Sequence, residues 1–348
     1  MRFPTVLNAE KQPRFQREIS IIGGDFTGSM IWKLASFLSG CWPIYRYTFS
    51  EPGMQALSQP RISTMPNDSS KSPVWFITGC STGLGRALAE RVLQQGERCV
   101  ATARNPAQLE DLAAAFPHDA LILSLDVANG AQIETAVSKA IEAFGGIDIL
   151  VNNAGRGYSA AIEEGDDADV RAMFDANFFG LIALTKRVLP LMRARKRGHI
   201  VNLSSIGGLV ASASAGYYNA SKFAIEGLSQ ALQVEVAPFG IRVTVVEPGP
   251  FRTDFHGRSM TSTKAPLDAY ASTAGARRAQ FKASSGKQAG DPVRAADAII
   301  KAVRSPQPPL HLLLGKNALD RARAVYAEFL LSMDEWEQVT LSADFPEP

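Results

Sequence analysis

The chain has 348 residues, 46% of them hydrophobic and 20% charged. Set against roughly 25% charged residues in average soluble domains, this excludes pervasive disorder, a collagen-like repeat and a coiled coil. The formal charge of +2 is unevenly spread: residues 1–64 hold 7 Lys/Arg and 4 Asp/Glu, leaving 29 against 30 for the rest. The larger part is thus near neutral and lacks the basic field that nucleic acid requires. Cys41, Cys80 and Cys99 are too few and too scattered for a disulfide framework or a Cys-rich zinc site, and the histidines show no metal-ligand spacing. The odd cysteine count fits a reducing compartment, so a cytoplasmic location is expected.

Residues 1–72 hold Pro4, Pro13, Pro43, Pro52, Pro60 and Pro66 among scattered aromatics, with no sustained period of 2 or 3.6. Their best apolar stretch, Ser29 to Phe49, is broken by Lys33, Pro43 and Arg46. Its apolar run Leu34–Leu38 is too short for a membrane span, and the segment lies too far from Met1 for an ordinary signal peptide. Two readings remain open: a weakly structured extension, or translated sequence upstream of a true start at Met65. The second is preferred, because the polar stretch 66–73 follows Met65 and periodic order begins directly after it.

From Val74 onward, apolar strand-like runs (74–78, 99–103, 121–126, 147–151, 199–204 and 242–247) alternate with helical patterns (83–95, 131–144, 168–196 and 218–238). A further run at 310–314 reads as a seventh strand. Alternation of this kind predicts parallel β-α-β units with right-handed crossovers. The expected fold is a single-domain, Rossmann-type, doubly wound α/β sheet over residues 73–348, with helices on both faces. Residues 256–290, rich in Ser, Thr, Ala, Lys and Gly, show no clear strand and are expected to form an inserted lid.

The first strand runs into Thr78-Gly79-Cys80-Ser81-Thr82-Gly83-Leu84-Gly85 and then a helix. Glycine lets backbone turn tightly against a pyrophosphate, and the following helix offers free N–H groups at its positive end. The spacing is Gly-x3-Gly-x-Gly, not the GxGxxG fingerprint. After the fourth strand, Asn152-Asn153-Ala154-Gly155 lies where a crevice should open, its small residues allowing a ribose and adenine to approach. An ordinary Asn/Gly turn is the bland alternative. Strand two ends in Ala103-Arg104 where an acidic residue would accept from an adenosine ribose hydroxyl. Arg104 instead offers a planar donor fork suited to a 2′-phosphate, with Ser81 as a second donor, so NADP(H) is the expected cofactor.

Tyr218 and Lys222 stand four apart at the start of a helical segment, hence on one face. A free phenol, with pKa near ~10, is a poor base at neutral pH. A nearby ammonium favours the phenolate, and the pair can then exchange a proton with an alcohol or ketone. Tyr217, five residues before Lys222, has the wrong spacing. Ser205, just past the fifth strand, can donate to a substrate oxygen, with adjacent Ser204 as the alternative. Asn177 interrupts a helical pattern, which a local kink freeing a carbonyl for water would explain, a core Asn satisfied by backbone being the bland alternative. Phe251, Phe255 and Tyr270 suggest an apolar pocket.

Taken together, these motifs over about residues 74–254, with Pro248-Gly249 closing the set, resemble the short-chain dehydrogenase/reductase superfamily. Thr-Gly-Cys-Ser at 78–81 and Ala-Thr-Ala-Arg at 101–104 resemble its NADP-preferring 17β-hydroxysteroid and retinol dehydrogenase branch. The resemblance implies an Asn177–Ser205–Tyr218–Lys222 tetrad. In it Tyr218 is the acid/base, Ser205 orients the substrate, Lys222 also binds the nicotinamide ribose, and Asn177 holds a relay water. It further implies cofactor contacts from Gly79, Ser81, Thr82, Gly83, Leu84, Gly85, Arg104, Asn153, Ala154, Gly155, Pro248 and Gly249. Asp126 and Val127 would flank the adenine, and Thr253 would meet the carboxamide or pyrophosphate. The resemblance implies a homodimer or homotetramer; the aromatics point to an apolar alcohol or ketone, the near-neutral charge argues against a nucleic-acid partner, and the broken 29–49 stretch argues against a membrane anchor. The competing reading is a non-catalytic NADP(H)-sensing module, which would more naturally have lost Tyr218 or Lys222.

Overall fold

A computed structural model describes residues 72–345. The expected N-terminal extension, apart from its last residue, lies outside the described residues. In chain order the strands are β1 (Val74–Ile77), β2 (Arg98–Ala103), β3 (Ala120–Ser124), β4 (Ile149–Asn152), β5 (Gly157–Ser159), β6 (Gly198–Leu203), β7 (Ile241–Pro248), β8 (Met260–Ser262) and β9 (His311–Leu314). The helices are α1 (Gly83–Gln94), α2 (Glu110–Ala115), α3 (Gly130–Phe144), α4 (Asp167–Phe174), α5 (Gly180–Arg195), α6 (Gly216–Val236), α7 (Ala276–Ser284), α8 (Pro292–Val303), α9 (Lys316–Glu335) and α10 (Glu337–Leu341).

Seven strands pair in parallel in the order β3-β2-β1-β4-β6-β7-β9. This is the doubly wound sheet expected from the sequence, including the seventh strand. Successive side chains on β1 point to opposite faces. Trp75 and Ile77 join a core with Leu88 and Val92 of α1 and Ile299 and Ile300 of α8. Val74 and Phe76 join a second core with Val137 of α3, Leu184 and Val188 of α5 and Leu232 of α6. Burial on both faces is why β1 reads as a continuous apolar run. The chain winds outward from β1 to β3, then returns to β4 on the other side of β1, so a crevice opens at the carboxyl ends of β1 and β4.

A buried polar ladder fixes the helix that matters most. Asn152 Nδ2 at the end of β4 donates to Asn202 Oδ1 (2.9 Å) and to Thr185 Oγ1 (3.1 Å). Asn202 Nδ2 on β6 donates in turn to Ser229 Oγ on α6 (2.9 Å). Each amide donor has a partner, so the ladder sets register without leaving an orphaned group. Where the sequence predicts one long helix over 168–196, the structure has α4, a π-helical turn at Asp175–Phe179, and α5. Residues 256–290, read as strandless, include β8, which pairs in parallel with β5. Among the described residues no helix is long and apolar enough to cross a membrane.

Candidate active site

The turn from β1 into α1 is built on glycines that no other residue replaces easily. Gly79 and Gly83 have φ of 71° and 67°, the left-handed region disfavoured by a Cβ. A Cβ on Gly79 would stand 2.9 Å from Ala154 Cα, and one on Gly85 would stand 2.6 Å from the Gly79 carbonyl. Thr78 Oγ1 accepts from the backbone N–H groups of Asn153 and Ala154, each at 2.9 Å. Asn153 Nδ2 donates to the carbonyls of Thr78 and Gly79, so this amide staples the two motifs together. Thr82, the N-cap of α1, makes no side-chain capping bond. Among the described residues the first-turn amides of Gly83, Leu84 and Gly85 lack a side-chain acceptor, which suits a pyrophosphate at the helix's positive end.

The other sequence-predicted contacts surround this cradle at the strand ends. Thr253 sits against Gly83, its Cβ 3.5 Å from where a glycine Cβ would be. Gly249 N–H donates to the Leu314 carbonyl, fixing the Pro248-Gly249 turn at the end of β7. Asp126 and Val127 follow β3: Asp126 accepts from Ala128 N–H, and Val127 is buried. Arg104 follows β2, is exposed, and forms no ion pair among the described residues. Ser81 and Thr82 are partly exposed in the cradle itself. The donor set and the backbone space fit a dinucleotide.

Four side chains from three elements meet beside this cradle. Asn177 lies in the π-helical turn, buried, with its amide satisfied largely by backbone. Its Oδ1 accepts from Arg156 N–H (2.8 Å), and its Nδ2 donates to the Arg156 carbonyl (2.9 Å) and to Ser221 Oγ (3.1 Å). Gly155 brings two partners close: a Cβ there would stand 3.1 Å from Asn177 Oδ1 and 3.8 Å from Lys222 Nζ. Lys222 Nζ donates to the Leu203 carbonyl at the end of β6 (2.7 Å). Around Gly207 the remaining two converge, since a Cβ there would lie 3.3 Å from Tyr218 Cε1 and 3.4 Å from Ser205 Oγ. Ser205 Oγ also caps the next turn by accepting from Gly207 N–H (3.0 Å). Ser204, the alternative, is buried on the side facing Gly208 and Glu226. Tyr217 turns away, donating its hydroxyl to the Ile162 carbonyl (2.6 Å).

Electrostatics correct one expectation. Burial pushes the Tyr218 phenol up to about 12, with only the Ser205 hydroxyl pulling it down. Lys222 Nζ is 5.7 Å from the Tyr218 ring centroid. Burial pushes Lys222 itself down to about 8, opposed by the charge of Glu226. Lys222 is not among the groups that lower the phenol, and desolvation prevails over the Ser205 hydrogen bond.

The apolar-pocket reading is also corrected in part. Phe255 is 5.9 Å from Tyr218, ring to ring. Phe251 instead packs on the core beneath α1 and α8, and Tyr270 donates its hydroxyl to Glu163 on the surface. Sequence reading missed a clamp on the 256–290 segment. Glu164 has a fully buried side chain that accepts from the Arg278 guanidinium and from the N–H groups of Ala161 (2.8 Å) and Leu267 (2.9 Å). It also missed Glu226 and Glu247, buried acids on α6 and β7. Glu226 stands four residues beyond Lys222, and Glu247 ends the run Val243–Val246 as the one acid of β7; both were signals in plain view.

A glycine cradle at the sheet's switch point beside a Tyr–Lys pair is the arrangement of a nucleotide-dependent oxidoreductase of Rossmann type. The chain belongs to the short-chain dehydrogenase family, whose profile, described as short chain dehydrogenase, matches residues 73–264. It is 40% identical over 272 residues to Oxidoreductase BOA17 of Botryotinia fuckeliana, covering 78% of this chain and 98% of that one. A short-chain dehydrogenase from Streptomyces avermitilis is similar in structure (TM-score 0.74, 40% identity, 78% of this chain and all of that one). An alcohol dehydrogenase from the archaeon Thermococcus sibiricus, complexed with 5-hydroxy-NADP, is similar at 25% identity (TM-score 0.59, 70% of this chain and 96% of that one).

Proposed function

We propose that this protein is an NADP(H)-dependent oxidoreductase interconverting a secondary alcohol and a ketone. The observation that carries the reading is the meeting of Asn177, Ser205, Tyr218 and Lys222 beside the glycine cradle. When bound, NADP(H) supplies or takes up the hydride. Tyr218 exchanges a proton with the substrate oxygen through its phenol, while Ser205 donates to that oxygen as charge builds on it. Lys222, held by the Leu203 carbonyl, has ammonium protons left for the nicotinamide ribose and favours the phenolate. Asn177 commits its own amide to Arg156 and Ser221, so its part is to hold the π-helical turn against α6, where a relay water can be kept.

Cofactor preference rests on Arg104, an exposed guanidinium at the end of β2 where an acid would select the unphosphorylated ribose. Residues 73–348 act as one catalytic domain, with 256–290 as a lid secured by Glu164 and Arg278. Phe255 beside Tyr218 favours an apolar substrate. The test is a panel of ketones with NADPH and of alcohols with NADP, run on the parent protein and on Tyr218→Phe. Turnover that Tyr218→Phe abolishes supports the reading. Tight NADPH binding without turnover across the panel would favour the sensing-module reading instead.

A further inference from the structure

Tyr218, Lys222 and Glu226 occupy successive turns of one stripe on α6, and the last of them has no ordinary structural explanation. Glu226 is 4% exposed. A buried carboxyl held only by the Ser204 hydroxyl and an ion pair at 3.6 Å is expensive, and an apolar residue would fill the space at less cost. Its surroundings come from five elements. Lys222 faces it from α6, Ser204 from the end of β6, Glu247 from β7, and His311 from β9 with Nδ1 3.6 Å from Glu226 Oε2. Tyr326 of α9 feels the charge of both acids. His311 Nδ1 and Glu247 Oε1 are hydrogen-bonded directly at 2.6 Å. Donors sharing a metal ion with bonds of roughly 2.0–2.2 Å stand farther apart than that, so the cluster is a proton-sharing group rather than a cation site.

We propose that Glu226 is a positioning residue for the reaction, its buried carboxylate holding Lys222 as the ammonium that the Tyr218 phenolate needs. The inference rests on the acid–base reading of Tyr218 and Lys222 given above. Burial pulls Lys222 down to about 8, and the charge of Glu226 is what opposes that fall. Burial and the neighbouring Glu247 push Glu226 up to about 7, with Ser204, His311 and Lys222 pulling it down. Glu226 therefore gains its charge just below the range in which Lys222 loses its own, and each ionisation supports the other. Without Glu226, Lys222 deprotonates earlier as pH rises. The phenol then keeps its proton to higher pH.

The test uses the full chain and two readouts. In the cofactor-free protein carrying ¹⁵N-lysine, the Lys222 amine signal, assigned by its absence from Lys222→Arg, is titrated by NMR. In Glu226→Gln its midpoint should fall by about half to one pH unit, and in Glu226→Asp it should return toward the parent value. The rising limb of kcat/KM for alcohol oxidation should move to higher pH in Glu226→Gln by a similar amount, an activity loss of about three- to tenfold on that limb. The parent protein needs no variant: its Lys222 signal should show a second inflection where Glu226 ionises. A single-step parent titration overturns the inference. So does a Glu226→Gln protein that turns over substrate with both the Lys222 midpoint and the pH limb unmoved, and the dehydrogenase reading would survive it. A shifted Lys222 midpoint in a protein that turns over no alcohol or ketone would uphold the coupling and overturn the catalytic reading.

Discussion

Asn177 Nδ2 donates to Ser221 Oγ at 3.1 Å, which ties the π-helical turn to α6 one residue before Lys222. Ser221 Oγ in turn donates to the Tyr218 carbonyl (2.8 Å), so one hydroxyl joins the turn to the backbone of the proposed acid/base. Both residues are buried, at 1% and 0% exposure, so the link is shielded from water. Asn177→Ala removes this bond and both bonds to the Arg156 backbone. It should lower thermal stability by about 1–3 kcal/mol and reduce turnover more than substrate affinity. Unfolding curves read beside kcat and KM check this; full kcat with full stability would refute it.

Tyr218→Phe should abolish turnover while leaving NADPH binding nearly intact. The ring still fills its place beside Phe255, and only the exchangeable proton goes. A positioned acid/base contributes typically ~10²–10⁴-fold. Tyr217→Phe is the control, because its hydroxyl serves the Ile162 carbonyl. A dead Tyr217→Phe beside an active Tyr218→Phe would shift the assigned register by one and take Ser205 with it.

The central strands β1 and β4 were legible in the sequence because each is an apolar run between helix-length patterns, buried throughout. The proposed Tyr218–Lys222 pair was legible because its spacing along α6 is local. Long-range pairings were not. Glu164 and Arg278 lie 114 residues apart, and nothing in their neighbourhoods marks them as partners. The fate of Phe251 was hidden for the same reason, since an aromatic near Pro248-Gly249 serves equally as a pocket wall or as core. The raised Tyr218 phenol also needed the structure, because desolvation depends on what covers a ring and not on its neighbours in the chain.

Arg104→Asp should weaken NADPH binding and narrow or reverse the preference over NADH. A charge-assisted hydrogen bond is worth about 1.5–3 kcal/mol, so one to two decades of affinity are at stake. Fluorescence titration of both nucleotides against both proteins measures it. Equal affinity of the parent protein for NADPH and NADH would remove the basis of the assignment.

A chain shortened to begin at Met65 should fold and turn over like the full one, because every residue of the described site follows Val74. Soluble yield and specific activity of the two chains decide the matter. A fall in either on truncation would give residues 1–64 a part in the enzyme.

The Glu164–Arg278 clamp should make the lid acid-sensitive. The Arg278 guanidinium, with the Ala161 and Leu267 amides, holds the Glu164 carboxyl down to about 2, against an ordinary value near 4.5. A carboxyl lowered in the folded state stabilises fully above its unfolded value and loses that stabilisation as pH falls through the folded one. The window is therefore between about pH 4.5 and 2, and nothing should change from pH 5 to 8. Glu164→Gln keeps the size of the side chain but loses the charge and an acceptor for Arg278. At neutral pH it should melt below the parent, and the gap should close as pH falls through the window. Because the clamp joins the loop after β5 to the segment that follows Phe255, the variant should also raise KM for the substrate more than it lowers kcat. Melting temperatures of both proteins between pH 2 and 7, read with KM near neutrality, test both halves. A constant gap down to pH 2 would mean that packing, not the ion pair, secures this segment.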